Sequence, residues 1–262
     1  MTDQEWTYLF ICLSAAAAGA MNSIAGGGTL LTFPALMTAL AGLGPDAGAV
    51  ANATSTVALL PGSVAGAVGF RNELAESRRF VLRMLPPSFA GGLVGALLLW
   101  AYPEAFGPLV PWLILTAAVL FLLQAPLNKL LRRRRQADVH EPGPLLEAAL
   151  IGFQFLVAVY GGYFGAGIGI LMLTALGFMG VGDIHRMNGV KTLLAAVING
   201  VSVVVFVLGG LVDWPYALAM AVAAVGGGYA GARVALRLPA AYVRWAVVAI
   251  GFGLSAYYFA RH

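Results

Sequence analysis

Residues 21–36 read MNSIAGGGTLLTFPAL, a polar, glycine-rich break set inside a long apolar run. Residues 161–176 read GGYFGAGIGILMLTAL, the same kind of break in altered form. A helix in lipid is costly to interrupt, because each freed backbone N–H or C=O loses several kcal/mol unless protein or trapped water satisfies it. Two interruptions in one chain therefore read first as a binding site. Glycines that only let helices pack closely are the alternative, and the repetition weakens it.

Composition sets the solvent. Hydrophobic residues make up 60% of the 262 residues and charged residues 10%, with 34 glycines, and the mean hydropathy is +0.87. These values exclude a soluble domain and indicate an integral membrane protein. The opening MTDQEW carries no basic region, so the first apolar segment is expected to stay in the mature chain. The single Cys12 excludes an intramolecular disulfide and a thiolate metal cluster, and reads as a small core residue. A pI near 9.4 does not indicate nucleic acid here, since the basic residues collect at the ends of apolar segments in a topological pattern.

A membrane helix needs roughly 20 apolar residues to cross about 30 Å of hydrocarbon. Residues 6–41 are too long for one straight span and too short for two, so the sequence predicts two arms, 6–20 and 29–40, each about half a crossing. Ordinary spans follow at 46–70, 80–101 and 108–127. The hydrophilic stretch NKLLRRRRQADVHEPG at 128–143 reads as a linker, its arginines 132–135 a cytoplasmic anchor facing anionic lipid. The plan then repeats. Residues 145–178 form a second overlong run broken at Gly161, Gly162, Gly165, Gly167 and Gly169, followed by spans at 184–208, 214–236 and 242–259. Asn52-Ala-Thr-Ser-Thr56 matches Asn188-Gly-Val-Lys-Thr192, and with the same offset GGLVGA at 91–96 matches GGYAGA at 227–232. The expected organisation is a first membrane repeat, 1–127, a basic linker, 128–144, and a second repeat, 145–262.

Two topologies fit such a duplication. If each broken segment crosses fully, the halves are parallel and there are eight spans. If each dips in and returns, every half is a re-entrant hairpin plus three transmembrane helices, and the halves are inverted. The inverted arrangement gathers Arg71, Arg78, Arg79, Arg83, Arg186, Arg237, Arg244 and the linker on the cytoplasmic side, with Asp46, Glu104 and Asp213 outside. It is the favoured expectation: an all-α polytopic membrane protein of two homologous inverted repeats, a recurrent transporter plan.

With the hairpin tips near mid-membrane, the helices beginning near Thr29 and Ile168 aim free N–H groups and positive dipole ends at the tips, making an anion site without a formal charge. Glycines allow close approach. Asn22, Ser23, Thr29, Tyr160 and Tyr163 can add neutral hydrogen bonds. Lys191 lies about 10 Å along its helix, at ~1.5 Å per residue, where a charge usually faces a cavity or a partner; snorkelling to the interface is its other reading. Its repeat counterpart is Ser55, in the polar cluster Asn52, Thr54, Ser55 and Thr56. Asn199 and its counterpart Ser63 either line the path or bond helices together. All 11 Asp and Glu residues fall in termini, turns or helix ends, so no buried carboxylate is available for a cation pathway or a proton relay. The 3 histidines lie in loops or at ends, and no metal site or cofactor is expected. A membrane-embedded enzyme lacks its nucleophile, acid/base pair or metal.

These residues, Asn22-Ser-Ile-Ala-Gly-Gly-Gly28 with Pro34-Ala-Leu, Ala51-Asn-Ala-Thr-Ser-Thr56 and the second copy at Gly165 and 188–192, resemble the TauE/SafE family of membrane transporters over almost the whole chain. The resemblance implies export of a small sulfur-containing anion, such as sulfite or sulfoacetate, across the bacterial inner membrane. Carried over by position, it nominates Asn22, Gly26, Gly27, Gly28, Asn52, Thr54 and Ser55, and in the second copy Gly165, Gly167, Asn188 and Lys191. GAGIG departs from the glycine-run pattern of the first copy. The expectation is alternating access between rocking repeats, with a passive small-anion channel as the alternative. Proton coupling could use the substrate's own protonation, since sulfite titrates near neutrality. Lipid and the anion are the expected partners, and the glycines of 226–231 suit either a homodimer contact or packing within one chain.

Overall fold

The computed structural model describes residues 3–24, 27–136, 143–181, 183–235 and 240–261, and all regular structure among them is helical. The first half consists of α1 (Asp3–Ile24), α2 (Thr29–Ala39), a short 3-10 segment (Ala41–Asp46), α3 (Ala47–Gly69), the small α4 (Arg71–Glu76), α5 (Arg78–Ala101) and α6 (Pro103–Gln136). The second half consists of α7 (Pro144–Tyr163), α8 (Ile168–Phe178), α9 (Ile184–Leu208), α10 (Trp214–Ala235) and α11 (Ala240–Arg261). Among the described residues, four helices are long and apolar enough to cross a membrane: α5, α7, α9 and the 103–127 part of α6. Helix is the only economical form for these runs, since lipid offers no partner for open backbone groups.

One expectation needs correction. The first arm of the first broken segment runs past its expected bounds of 6–20: α1 spans Asp3–Ile24, 22 residues, and α7 has 20, while α2 and α8 have 11 each. Apolar small residues carry α1 through to Asn22 and beyond before the glycines stop it. The basic stretch also differs from a plain loop, because α6 runs on through it to Gln136. Residues 137–142, the remainder of the expected linker, lie outside the described residues, as do Arg237 and the side chain of Arg244.

The first short arm doubles back, and the start of the second folds onto the end of α7. Ser14 on α1 donates to the carbonyl of Leu31 at 2.7 Å, and Gly28 lies against Ala18, so α2 returns along α1. In the second copy, Ile168 covers Gly161 and the Tyr160 hydroxyl donates to the Ala166 carbonyl at 2.9 Å.

Packing between the halves is reciprocal. Helix α1 packs on α10, as α7 packs on α5, and α3 packs on α10, as α9 packs on α5. Contacts set their directions. Tyr8 meets Tyr216 with ring centroids 5.1 Å apart, and Gly19 meets Ala224, so α1 and α10 run parallel. The ion pair Arg83–Glu147, the bond from Gln154 to Ser88 at 2.9 Å and the close contact of Gly95 with Val159 run α5 parallel to α7. Glycine is required along both seams: a Cβ at Gly95 would enter the Val159 carbonyl, and one at Gly227 would enter the backbone of Ala16. The glycine face considered for dimerisation is thus used at Gly227 inside the chain.

Helix α3 runs antiparallel to α9, and α6 to α11. Gly66 of α3 faces Thr192 of α9, and Gly189 of α9 faces Phe70 just beyond α3. Ser255 of α11 donates to the Pro111 carbonyl of α6 at 3.0 Å, and Gly251 lies on Ala118.

Candidate functional site

The two hairpin tips converge on one turn of α6. Gly27 sits against the Phe121 ring, and Gly167 against Leu120 and Ala117. Phe164, at the second tip, packs edge-on against Phe33 of α2 at 5.6 Å, and Phe33 packs likewise on Phe106 of α6 at 5.9 Å. An aromatic wedge therefore fixes the second tip to the return arm of the first hairpin.

Both tips use left-handed backbone, at Gly27 (φ 90°), Gly165 (φ 84°) and Gly167 (φ 80°). Residues with a Cβ adopt it at a cost of roughly 1–2 kcal/mol. Past Gly167 the chain enters α8, and among the described residues the amides of Ala166, Gly167, Ile168 and Gly169 make no backbone hydrogen bond of good geometry. Those four donors, with the positive end of the helix dipole behind them, are what an anion needs.

Lys191 joins them. Its stem lies over Gly169, where an added Cβ would come within 3.3 Å of the lysine Cδ, and its ammonium donates to Asn188 Oδ1 at 3.2 Å. Among the described residues its charge meets no carboxylate. A positive charge and an open helix start thus share one locus, with no carboxylate paired to the lysine among the described residues.

The first copy builds the equivalent place from neutral groups. Gly28 donates its amide to Asn22 Oδ1 at 2.8 Å, so Asn22 closes the first tip. Ser55, the counterpart of Lys191, shares a 2.6 Å hydrogen bond with Thr32 on α2, and Thr32 also donates to the Gly28 carbonyl at 3.2 Å. Asn52 ties the halves together, its Nδ2 donating to the Tyr163 carbonyl at 3.0 Å. Its Oδ1 is buried with no partner.

Of the sequence-predicted site residues, Asn22, Gly27, Gly28 and Thr29 lie at the first tip, Tyr163, Gly165 and Gly167 at the second, and Asn52, Ser55, Asn188 and Lys191 on the α3 and α9 faces beside them. Ser23 lies in α1 with its side chain not described, and Gly26 lies outside the described residues. Thr54 is not brought to the tips: its hydroxyl accepts from the Asp213 amide at 3.0 Å, at the start of α10. Helical geometry explains the separation, since residues two apart point to different faces. Tyr160 is occupied in holding the Ala166 carbonyl, and Ser63 bonds within its own helix, to the Leu59 carbonyl at 3.2 Å.

Thr32 and Gly169 were missed. Thr32 follows Gly28 by one helical turn, a spacing that could have placed it on the tip face. Gly169 is the small residue that admits the lysine stem, which no local pattern announces.

A family model described as sulfite exporter TauE/SafE matches residues 11–258. The chain is 30% identical over 244 residues to the "Probable membrane transporter protein YfcA" of Escherichia coli strain K12, covering 91% of this chain and 84% of that protein. It is 28% identical over 241 residues to a "Probable membrane transporter protein" of Haemophilus influenzae, covering 90% and 88% of the two chains. A third relative, "Probable membrane transporter protein ORF9" of a Sinorhizobium species, is 27% identical over 248 residues, covering 94% and 90%. No solved structure matches the chain.

Proposed function

The chain belongs to the TauE/SafE sulfite exporter family of membrane transporters, and on that premise we propose that it carries a small sulfur-containing anion, sulfite or an organosulfonate, out across the bacterial inner membrane. The observation that carries the reading is the unpartnered start of α8 beside Lys191. Four amide donors and one ammonium favour a small anion, and neutral residues of the other half close the same region. The members are positioning groups that bind charge without covalent chemistry, in keeping with a transporter rather than an enzyme.

Alternating access is the mechanism this arrangement supports. The antiparallel run of α3 against α9 and of α6 against α11 is what two inverted repeats require, because copies related by an axis along the membrane normal keep equivalent helices parallel. The seams at α1 with α10 and α5 with α7 make each rocking unit a mixture of both halves. Anion would bind at the tips from one side and leave when the units tilt about the α3–α9 contact.

Two measurements test the proposal. Counterflow in proteoliposomes across sulfite, sulfate, thiosulfate, sulfoacetate and small carboxylates should give saturable exchange of at least one sulfur anion. Unsaturable flux with high conductance would make the protein a channel, and no anion flux would end the reading. Reporter tags on both termini should fall outside the cytoplasm, and cytoplasmic termini would sink the inverted topology.

A further inference from the structure

Asn52 is 1% exposed, and the two ends of its carboxamide have different fates. Nδ2 donates to the Tyr163 carbonyl at 3.0 Å. That carbonyl can only accept, so the orientation of the amide is fixed by chemistry. Oδ1 belongs to the same carboxamide, held at the Tyr163 end of the second tip, and finds no partner among the described residues. An acceptor buried without a donor is costly and uncommon.

The duplicated position makes the contrast. Asn188 is the counterpart of Asn52, and its Oδ1 receives a hydrogen bond from Lys191 three residues on. In the first copy the residue three positions on is Ser55, which is bonded to Thr32 instead. The lysine that satisfies one asparagine is thus missing for the other, and the tip presents several donors together with one acceptor.

We infer that the anion taken at this tip is a monoanion bearing an O–H: its oxygens accept from the amides of residues 166–169 while its hydroxyl donates to Asn52 Oδ1. Hydrogen sulfite and hydroxyalkyl sulfonates have this pattern. Sulfate, the sulfite dianion and unsubstituted alkyl sulfonates have only acceptors, and would set an oxygen against Oδ1. The inference rests on the anion-transport reading and adds to it which anions are chosen.

The test uses the full chain in proteoliposomes with isethionate and ethanesulfonate, two sulfonates of equal charge and chain length that differ by one hydroxyl. Isethionate should show an apparent affinity at least about tenfold higher, the usual effect of leaving a buried polar group unpaired. Asn52→Val should bring the ratio near one. If that variant does not fold, the wild-type ratio decides alone. Should neither sulfonate enter, sulfite decides: its apparent affinity must fall at least about tenfold as the hydrogen sulfite ion is titrated away, and sulfate must not compete. Equal affinities for the sulfonate pair, or sulfite affinity independent of its protonation, overturn the inference while leaving anion transport standing. Absence of all anion flux overturns both.

Discussion

Replacing Lys191 with Met separates a functional charge from a structural one. Methionine keeps an unbranched stem over Gly169 and removes only the ammonium, with its bond to Asn188. A charged side chain at the centre of a membrane helix costs about 2.5–3.5 kcal/mol on insertion scales. A hydrogen bond to a charged group returns roughly 1.5–3 kcal/mol. The predicted balance leaves folding within about 1 kcal/mol of the wild type, or raises it by up to ~2 kcal/mol. Binding should move the other way. Losing one charge-assisted contact to the anion costs about 1.5–3 kcal/mol, and at ~1.4 kcal/mol per decade that is roughly 10- to 150-fold in affinity. Sulfite counterflow in proteoliposomes reads the affinity, and thermal unfolding in detergent reads the stability. An affinity within about threefold of wild type would remove Lys191 from the site, and joint loss of stability and transport would make it a packing residue.

Other substitutions probe the frame around it. Gly27→Val should abolish transport, because it forces a β-branched residue into left-handed backbone, at roughly 1–2 kcal/mol, and into the Phe121 ring. Adding Phe121→Ala should recover part of the loss but not the backbone share, and full recovery in the counterflow assay would contradict the conformational argument. Ser88→Ala should destabilise by about 1–3 kcal/mol, since it strips the acceptor from buried Gln154. Gln154→Leu should cost less, because the Ser88 hydroxyl keeps its bond to the Met84 carbonyl at 2.7 Å; the reverse order in detergent melts would refute this account. Breaking the exposed pair Arg186–Glu76 with Glu76→Gln should change exchange rates by less than about fivefold, an effect of under ~1 kcal/mol that added salt erases. A larger change would make the pair part of the gate.

Much of the fold could be read locally. The span 184–208 was expected and is found as α9 with those bounds. Hydropathy and the fixed length of a crossing supply such limits with no knowledge of neighbours. The arms of the hairpins were harder. Helix α1 runs through Gly19 and past its expected end at residue 20 to Ile24, and Gly19 serves to approach the backbone of α10 rather than to end the helix. A glycine looks the same in sequence whether it breaks a helix or lets one pack.

The candidate site divides in the same way. Its electrostatic sign was legible in the sequence: the tips carry glycines and no acid, and Lys191 is the lone cation deep within a span. Which groups meet was decided only by tertiary structure. Thr54 and Ser55 are neighbours in the chain, yet one binds the start of α10 and the other the return arm of the first hairpin. Asn52 and Asn188 open the matching stretches 52–56 and 188–192, yet among the described residues only Asn188 finds a donor for its Oδ1. Composition and periodicity follow from each residue's exchange between water and lipid, a property it carries alone. A hydrogen bond or an open acceptor depends on what folding brings within about 3 Å, and here that was set by residues more than a hundred positions away.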